Sequence, residues 1–241
     1  MNDTKVALIV GAGDGLGSAL VRKFASEGYH VVATRRRGDL EPLINEIKES
    51  GGHAQAMYSD ARDEAAVMNL VAIIETRVGP IDVCVFNVGG NVRFPLLETT
   101  TRVYRKVWEM CALAGFLVGR EVARPMLDRK QGTIIFTGAT ASLRGSEGFS
   151  AFSGGKHALR ALAQSMAREF GPQGIHVAHV VVDGLIDNPN TRQMFPELFE
   201  NRPEDGVINP AELAEIYWNL HQQPRSAWSF EIDARPYSEK F

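Results

Sequence analysis

The chain is poor in the residues that build several kinds of protein. Two cysteines, Cys84 and Cys111, stand among its 241 residues. They are too few for a disulfide framework or a cysteine metal cluster, and in keeping with a reducing cytoplasm. Long hydrophobic runs are missing. The apolar burst VALIV (Val6–Val10) stops at glycine, far short of the ~20 residues of a membrane span and too short for a secretory signal. A cationic surplus is missing as well. The net charge of −3 leaves no electrostatic footprint for nucleic acid or an anionic membrane. There is no G-x-S-x-G elbow of a serine hydrolase and no H-E-x-x-H pair or Cys/His spacing of a metal site. Gly155-Lys156 is not a phosphate loop, because Ser150 replaces its first glycine and His157 its Ser or Thr. Tyrosine is absent from the whole stretch between Tyr104 and Tyr217. What is present, 44% apolar and 23% charged residues, suits a soluble globular protein with a large core.

Hydrophobic periodicity alternates between strand and helix. Lys5–Val10, Tyr29–Thr34, His53–Tyr58, Ile81–Phe86, Gly132–Thr137 and Ile175–Val182 read as short strands rich in apolar residues, as in a sheet covered on both faces. Leu16, Ala19, Leu20 and Phe24 keep helical spacing up to Gly28. Further helices are expected at about 40–50, 64–78, 100–129, 150–170 and 211–222, with a last strand near 226–232. Such alternation predicts a single-domain, doubly wound α/β fold: a Rossmann-like parallel sheet of about seven strands with helices on both faces. His176 and His179 fall on the sixth strand and are expected in its core or at its edge. One long irregular stretch, Gly184–Asn209, reads as a lid, with Met194, Phe195, Leu198 and Phe199 at helix-like spacing.

The first strand runs into GAGDGLG, with Gly11, Gly15 and Gly17 flanking Leu16. Glycines here give a tight turn, room for a pyrophosphate, and a helix N-terminus aimed at the anion. The second strand ends in Arg35, Arg36 and Arg37, where an NAD site wants a carboxylate. Guanidinium groups suit a 2′-phosphate instead, so NADP(H) is favoured over NAD(H). Asp14, beside the turn, is an awkward neighbour for that phosphate unless it orients one of the arginines.

Taken together, GAGDGLG, SDA (Ser59–Ala61), FNVGG (Phe86–Gly90), GTIIFTGATAS, the Lys156 helix and DGLIDN (Asp183–Asn188) resemble the short-chain dehydrogenase/reductase family. The resemblance extends from the first strand through the sixth. It implies that the glycine turn holds pyrophosphate and that Asp60, with Ala61 beside it, meets adenine. It implies that Asn87 and Gly89 line the adenosine and central sheet, and that Gly184 and Ile186 border the nicotinamide. It also implies homodimers or homotetramers. The family moves a hydride between nicotinamide and a small carbonyl or alcohol. A tyrosine supplies the proton, a lysine four residues later tunes it and grips ribose, and a serine and an asparagine complete the site.

Only the lysine, Lys156, is kept. Phe152 stands at the tyrosine position, Ala139 at the serine and Cys111 at the asparagine. Thr140, one residue from the serine position, is a candidate substitute, and Ser142, Ser150 and Ser153 lie nearby. Asp183 replaces the family's proline. Three readings follow. One is an NADP(H)-dependent oxidoreductase with an altered proton donor. Its rival is a catalytically inactive dinucleotide-binding protein that senses or scaffolds. A third, minor one is an enzyme that uses bound NAD(P) without net redox.

Overall fold

All five residues of β1 (Val6–Val10) are buried, as a strand covered on both faces must be. The computed structural model describes residues 5–194 and 196–240, with the backbone only of Met194. The other strands are β2 (His30–Arg35), β3 (His53–Tyr58), β4 (Ile81–Phe86), β5 (Gly132–Thr137), β6 (Ile175–Val182) and β7 (Glu231–Ala234). The helices are α1 (Leu16–Ser26), α2 (Glu41–Glu49), α3 (Glu64–Ile73), α4 (Thr101–Trp108), α5 (Ala114–Arg129), α6 (Ser150–Phe170), α7 (Pro189–Met194) and α8 (Pro210–His221).

The strands form one parallel sheet in the order β3-β2-β1-β4-β5-β6-β7. Chain order reverses between β1 and β4, and a crevice opens there at the carboxyl ends of the strands. Successive side chains of β1 go to opposite faces. Ala7 and Ile9 pack under α1, α2 and α8 through residues such as Leu20, Phe24, Ile44 and Tyr217. Val6, Leu8 and Val10 pack under α3, α5 and α6 through Val71, Val118, Met126 and Leu159. Asp63, Thr100 and Asn209 cap α3, α4 and α8 by accepting from the backbone N–H of Ala66, Val103 and Ala211. Among the described residues no helix is long and apolar enough to cross a membrane, and no group of three or more His, Cys, Asp or Glu could hold a metal ion.

Three expectations need adjustment. The helix expected at 100–129 is α4 and α5 joined by a π turn, Glu109–Leu113, which widens the helix at Cys111. The last strand is β7 at 231–234, not 226–232. Ser229 N–H donates to Gln223 Oε1 at 2.7 Å, the Trp228 indole donates to the Gln223 carbonyl, and that indole stacks on His176. These contacts hold the chain off the ladder until Glu231. The stretch 184–209 is not irregular throughout, for it carries α7 and a short turn at Pro196–Leu198. A bridge between Ile186 and Ile208 draws its ends together. The Met194 side chain and Phe195, half of the expected apolar stripe, lie outside the described residues. His176 and His179 are both core residues.

Candidate active site

The glycine turn is shaped by steric need. Gly11 has φ +92°, and a Cβ there would lie 2.8 Å from the Asn87 carbonyl oxygen. A Cβ at Gly17 would collide with the Gly11 carbonyl. Gly13 faces open space, within a cavity of about 610 Å³ that also touches Gly11, Gly15, Leu16, Gly17, Asn87, Gly184 and Ile186. The first turn of α1 has no side-chain cap and no acidic residue. The Ser18 N–H turns back to the Gly13 carbonyl at 2.8 Å, while those of Leu16 and Gly17 are left for an outside anion, and the dipole favours one. The pyrophosphate of a dinucleotide therefore fits this cradle. Asn87 braces the turn by donating from Nδ2 to the Gly11 carbonyl at 3.1 Å.

Arg35, Arg36, Arg37 and Arg62 border a second cavity of about 310 Å³ together with Ser59, Asp60, Ala61, Asn87 and Gly89. Among the described residues Asp60 is the one carboxylate on that wall. Arg62 grips it at 2.9 and 2.6 Å, and those bonds hold its pKa down, at about 2. Arg36 stands 3.9 Å from the same carboxylate. Arg35 Nη1 lies 3.5 Å from both Asp14 Oδ1 and the Asp39 carbonyl. Asp14 also accepts from Asn190 Nδ2 at 3.0 Å, so one carboxylate ties the arginine run to α7. Arg62 and Asn190 escaped the sequence reading. Arg62 lay only two residues from a noted position, whereas no sequence signal marks Asn190.

The reaction end is a third cavity of about 660 Å³, lined among others by Phe152, Lys156, Thr140, Ala139, Asp183 and Gly184. Phe152 and Lys156 lie one turn apart on α6 and share a face. The Lys156 ammonium sits 5.8 Å from the centre of the Phe152 ring, within cation–π range. It donates to the Thr137 carbonyl at 2.7 Å and the Val88 carbonyl at 3.5 Å, bridging the ends of β5 and β4. Burial pushes its pKa below the ordinary lysine value.

Cys111 is fully buried and does not reach the cavity wall. It packs with Phe152, Ala151, Ala141 and Val107, and Ala139 rests against the same group. Cys111, Phe152 and Ala139, the positions singled out in the sequence, thus meet in one apolar cluster. Ser142 Oγ accepts from the Ala139 N–H at 3.1 Å, and Ser153 Oγ points to the Arg144 carbonyl at 3.4 Å. Thr140, considered above as a replacement donor, already gives its proton to Asp183 Oδ1. Asp183 Oδ2 lies 3.3 Å from Arg235, which also binds Asp233. The sequence marked Asp183 only as a departure from proline. Arg235 carried no signal, being 52 residues further along the chain.

A short chain dehydrogenase family model matches residues 5–198. The chain belongs to the short-chain dehydrogenase family. A short-chain dehydrogenase structure from Rhodopseudomonas palustris is 48% identical and superposes with a TM-score of 0.84, over 98% of this chain and 100% of that one. A single-residue variant of the actinorhodin polyketide ketoreductase, solved with NADPH, is 25% identical, with a TM-score of 0.86 over 98% of this chain and 97% of its own. The 2,3-dihydro-2,3-dihydroxybenzoate dehydrogenase of Bacillus subtilis is 35% identical over 140 residues, 57% of this chain and 53% of its own length. The match therefore spans about half of that relative. The chain shares with the family an oxidoreductase fold that binds a nicotinamide dinucleotide.

Proposed function

We propose that this short-chain dehydrogenase binds NADP(H) and acts on a small alcohol or carbonyl without the family's tyrosine. The observation that carries the reading is the wall of the 310 Å³ cavity, where four arginines face one carboxylate already held by Arg62. A 2′-phosphate meets matching charge and planar donors there, while a bare ribose meets no free carboxylate among the described residues of that wall. The actinorhodin ketoreductase structure that this fold resembles holds NADPH. A metagenomic relative of 25% identity and TM-score 0.83 is in complex with NADP.

When bound, the dinucleotide supplies the hydride acceptor or donor. The chain does the rest: the glycine turn and α1 hold pyrophosphate, Lys156 stands beside the carbonyls of Val88 and Thr137, and the apolar cluster around Phe152 excludes water. The excursion 184–209, pinned at Ile186–Ile208 and latched by Asn190 to Asp14, covers the crevice. NAD(H) remains the competing cofactor. Calorimetric titration of both decides between them: NADPH is expected to bind more tightly, and Arg35→Asp to weaken it by about 10-fold or more, as loss of a charged hydrogen bond does, while improving NADH. Tighter wild-type binding of NADH overturns the assignment.

The Phe152–Cys111–Ala139 cluster favours a second reading, a dinucleotide-binding protein without turnover. Cofactor binding with no redox change over a panel of alcohols, aldehydes and ketones would establish it.

A further inference from the structure

Thr140, Ser153 and Lys156, which line the cavity beside Phe152, direct protons at protein acceptors. Ser153 donates to the Arg144 carbonyl, and two of the three N–H groups of Lys156 face the Thr137 and Val88 carbonyls. The Thr137 hydroxyl is shared with Tyr217 at 2.9 Å. Thr140 donates to Asp183 Oδ1. With its proton placed there, Thr140 Oγ1 has only lone pairs to offer the cavity.

This polarity is built in by the fold. Asp183 follows β6 and is 6% exposed. Its N–H donates to the Ala234 carbonyl at 2.9 Å, a bond that a proline could not make. That bond sets the carboxylate between Thr140 and Arg235. Arginine has only donors, so Oδ2 must face Arg235 as an acceptor. Oδ1 then accepts from the threonine. A carbonyl oxygen brought to this wall would meet lone pairs, whereas an alcohol O–H would find an acceptor.

We propose that Thr140 and Asp183 form a proton-accepting pair, which binds an alcohol substrate through its hydroxyl hydrogen and takes up that proton when the alcohol is oxidised. The proposal rests on the oxidoreductase reading above. The O–H bond of the alcohol breaks, and its proton goes to Thr140 Oγ1 while threonine's own proton passes to Asp183 Oδ1. The carbinol hydrogen leaves with two electrons to the oxidised nicotinamide dinucleotide, and the C–O bond becomes a carbonyl. Asp183, left as a carboxylic acid, returns the proton to solvent through the cavity. Thr140 is the catalytic residue in this scheme, and Asp183 orients it and stores the proton.

The test uses Thr140→Val, Thr140→Ser and Asp183→Asn in the full chain, each checked for native circular dichroism. Binding of cyclohexanol and cyclohexanone is followed by ligand-observed NMR with 2′-phospho-ADP-ribose present, so that neither can react. The wild type should prefer the alcohol. Thr140→Val should lose that preference, by about 10-fold for one hydrogen bond, and Thr140→Ser should keep it. Asp183→Asn should reverse it. The amide oxygen must face Arg235, the amide N–H₂ then donates to Thr140 Oγ1, and the threonine O–H turns into the cavity as a donor. Loss of a merely structural role would not exchange one preference for the other. In turnover with NADP⁺ and secondary alcohols, Thr140→Val should lose about 10²-fold or more, the low end of an acid–base contribution.

Equal preference in the wild type, no binding of either probe, or an Asp183→Asn variant that still prefers the alcohol overturns the pair. NADPH titration separates the two readings. If the cofactor binds and alcohol oxidation survives Thr140→Val, the pair is wrong and the oxidoreductase reading stands. If no dinucleotide binds the wild type, both fall.

Discussion

The two ends of the crevice are built on different physics. At the dinucleotide end, backbone and small residues dominate: Gly11, Gly17 and the uncapped first turn of α1 leave no room for substitutes. At the reaction end, side chains dominate: Phe152, Cys111 and Ala139 meet in one apolar cluster. A hydrogen-bonded network is costly to dismantle piecemeal, since each lost partner leaves a buried group unsatisfied. Replacing all its members by packed apolar groups avoids that cost. A steric cradle has no such alternative, because an added Cβ meets backbone that cannot move aside.

The sharpest way to break this contrast is to make the reaction end polar. Phe152→Tyr with Ala139→Ser is expected to fold, since tyrosine keeps the shape of phenylalanine and the ring already borders the cavity. Carbonyl reduction should rise by up to about 10²–10⁴-fold, read as NADPH oxidation over a panel of aldehydes and ketones. No gain in a folded, cofactor-bound double variant would favour the reading without turnover. Breaking the other end should do the reverse. Gly17→Ala is expected to weaken NADPH by about 10²-fold, given the anion binding that α1 provides, because the new Cβ displaces the Gly11 carbonyl from the turn. Calorimetry and a thermal melt check it, and wild-type affinity would show that the turn yields more than its packing suggests.

The pH response tests the floor beneath the reaction end. His179 is fully buried, and burial drives its pKa down to about 4, against the pull of Glu231 at 2.9 Å. Its unfolded value is about 6.5. Between these values the unfolded chain binds the proton and the folded chain does not. Stability should therefore fall as pH drops from about 6.5 to about 4, by roughly 3 kcal/mol from this group alone. Urea unfolding of the wild type against His179→Gln measures it, and identical pH slopes would count against the assignment. The smallest effect is expected from Cys111→Asn. It puts an amide among the packed side chains of Val107, Ala141, Ala151 and Phe152, so it should cost about 1–3 kcal/mol, whereas Cys111→Ala should cost less. An asparagine that stabilises would mean the pocket still holds polar partners.

Much of the fold was legible because its signals are local. Buried strands of five to eight residues, such as β1 and β6, carry their own period, and the glycines that stop them are visible beside them. The last strand was misplaced because its start depends on side-chain bonds from Gln223 and on Trp228 stacking against His176, none of which periodicity records. The glycines and arginines that line two of the cavities were equally legible, since they end or follow the first two strands. Arg62's hold on Asp60 was missed because two charges two residues apart do not announce that they pair.

The order of strands and helices, the steric cradle after β1 and a phenylalanine, without a hydroxyl, one turn before Lys156 on α6 are properties of the sequence by itself. Each depends on residue type and near neighbours, which the chain states directly. That Cys111, Ala139 and Phe152 close into one cluster was decided by tertiary structure, through the widened turn between α4 and α5 and the packing of α6 against it. So was the direction of the Thr140 proton. Its partners come from β6 and from the end of β7, 43 and 95 residues away. A hydroxyl donates or accepts according to the groups around it, and only the folded chain brings those groups together.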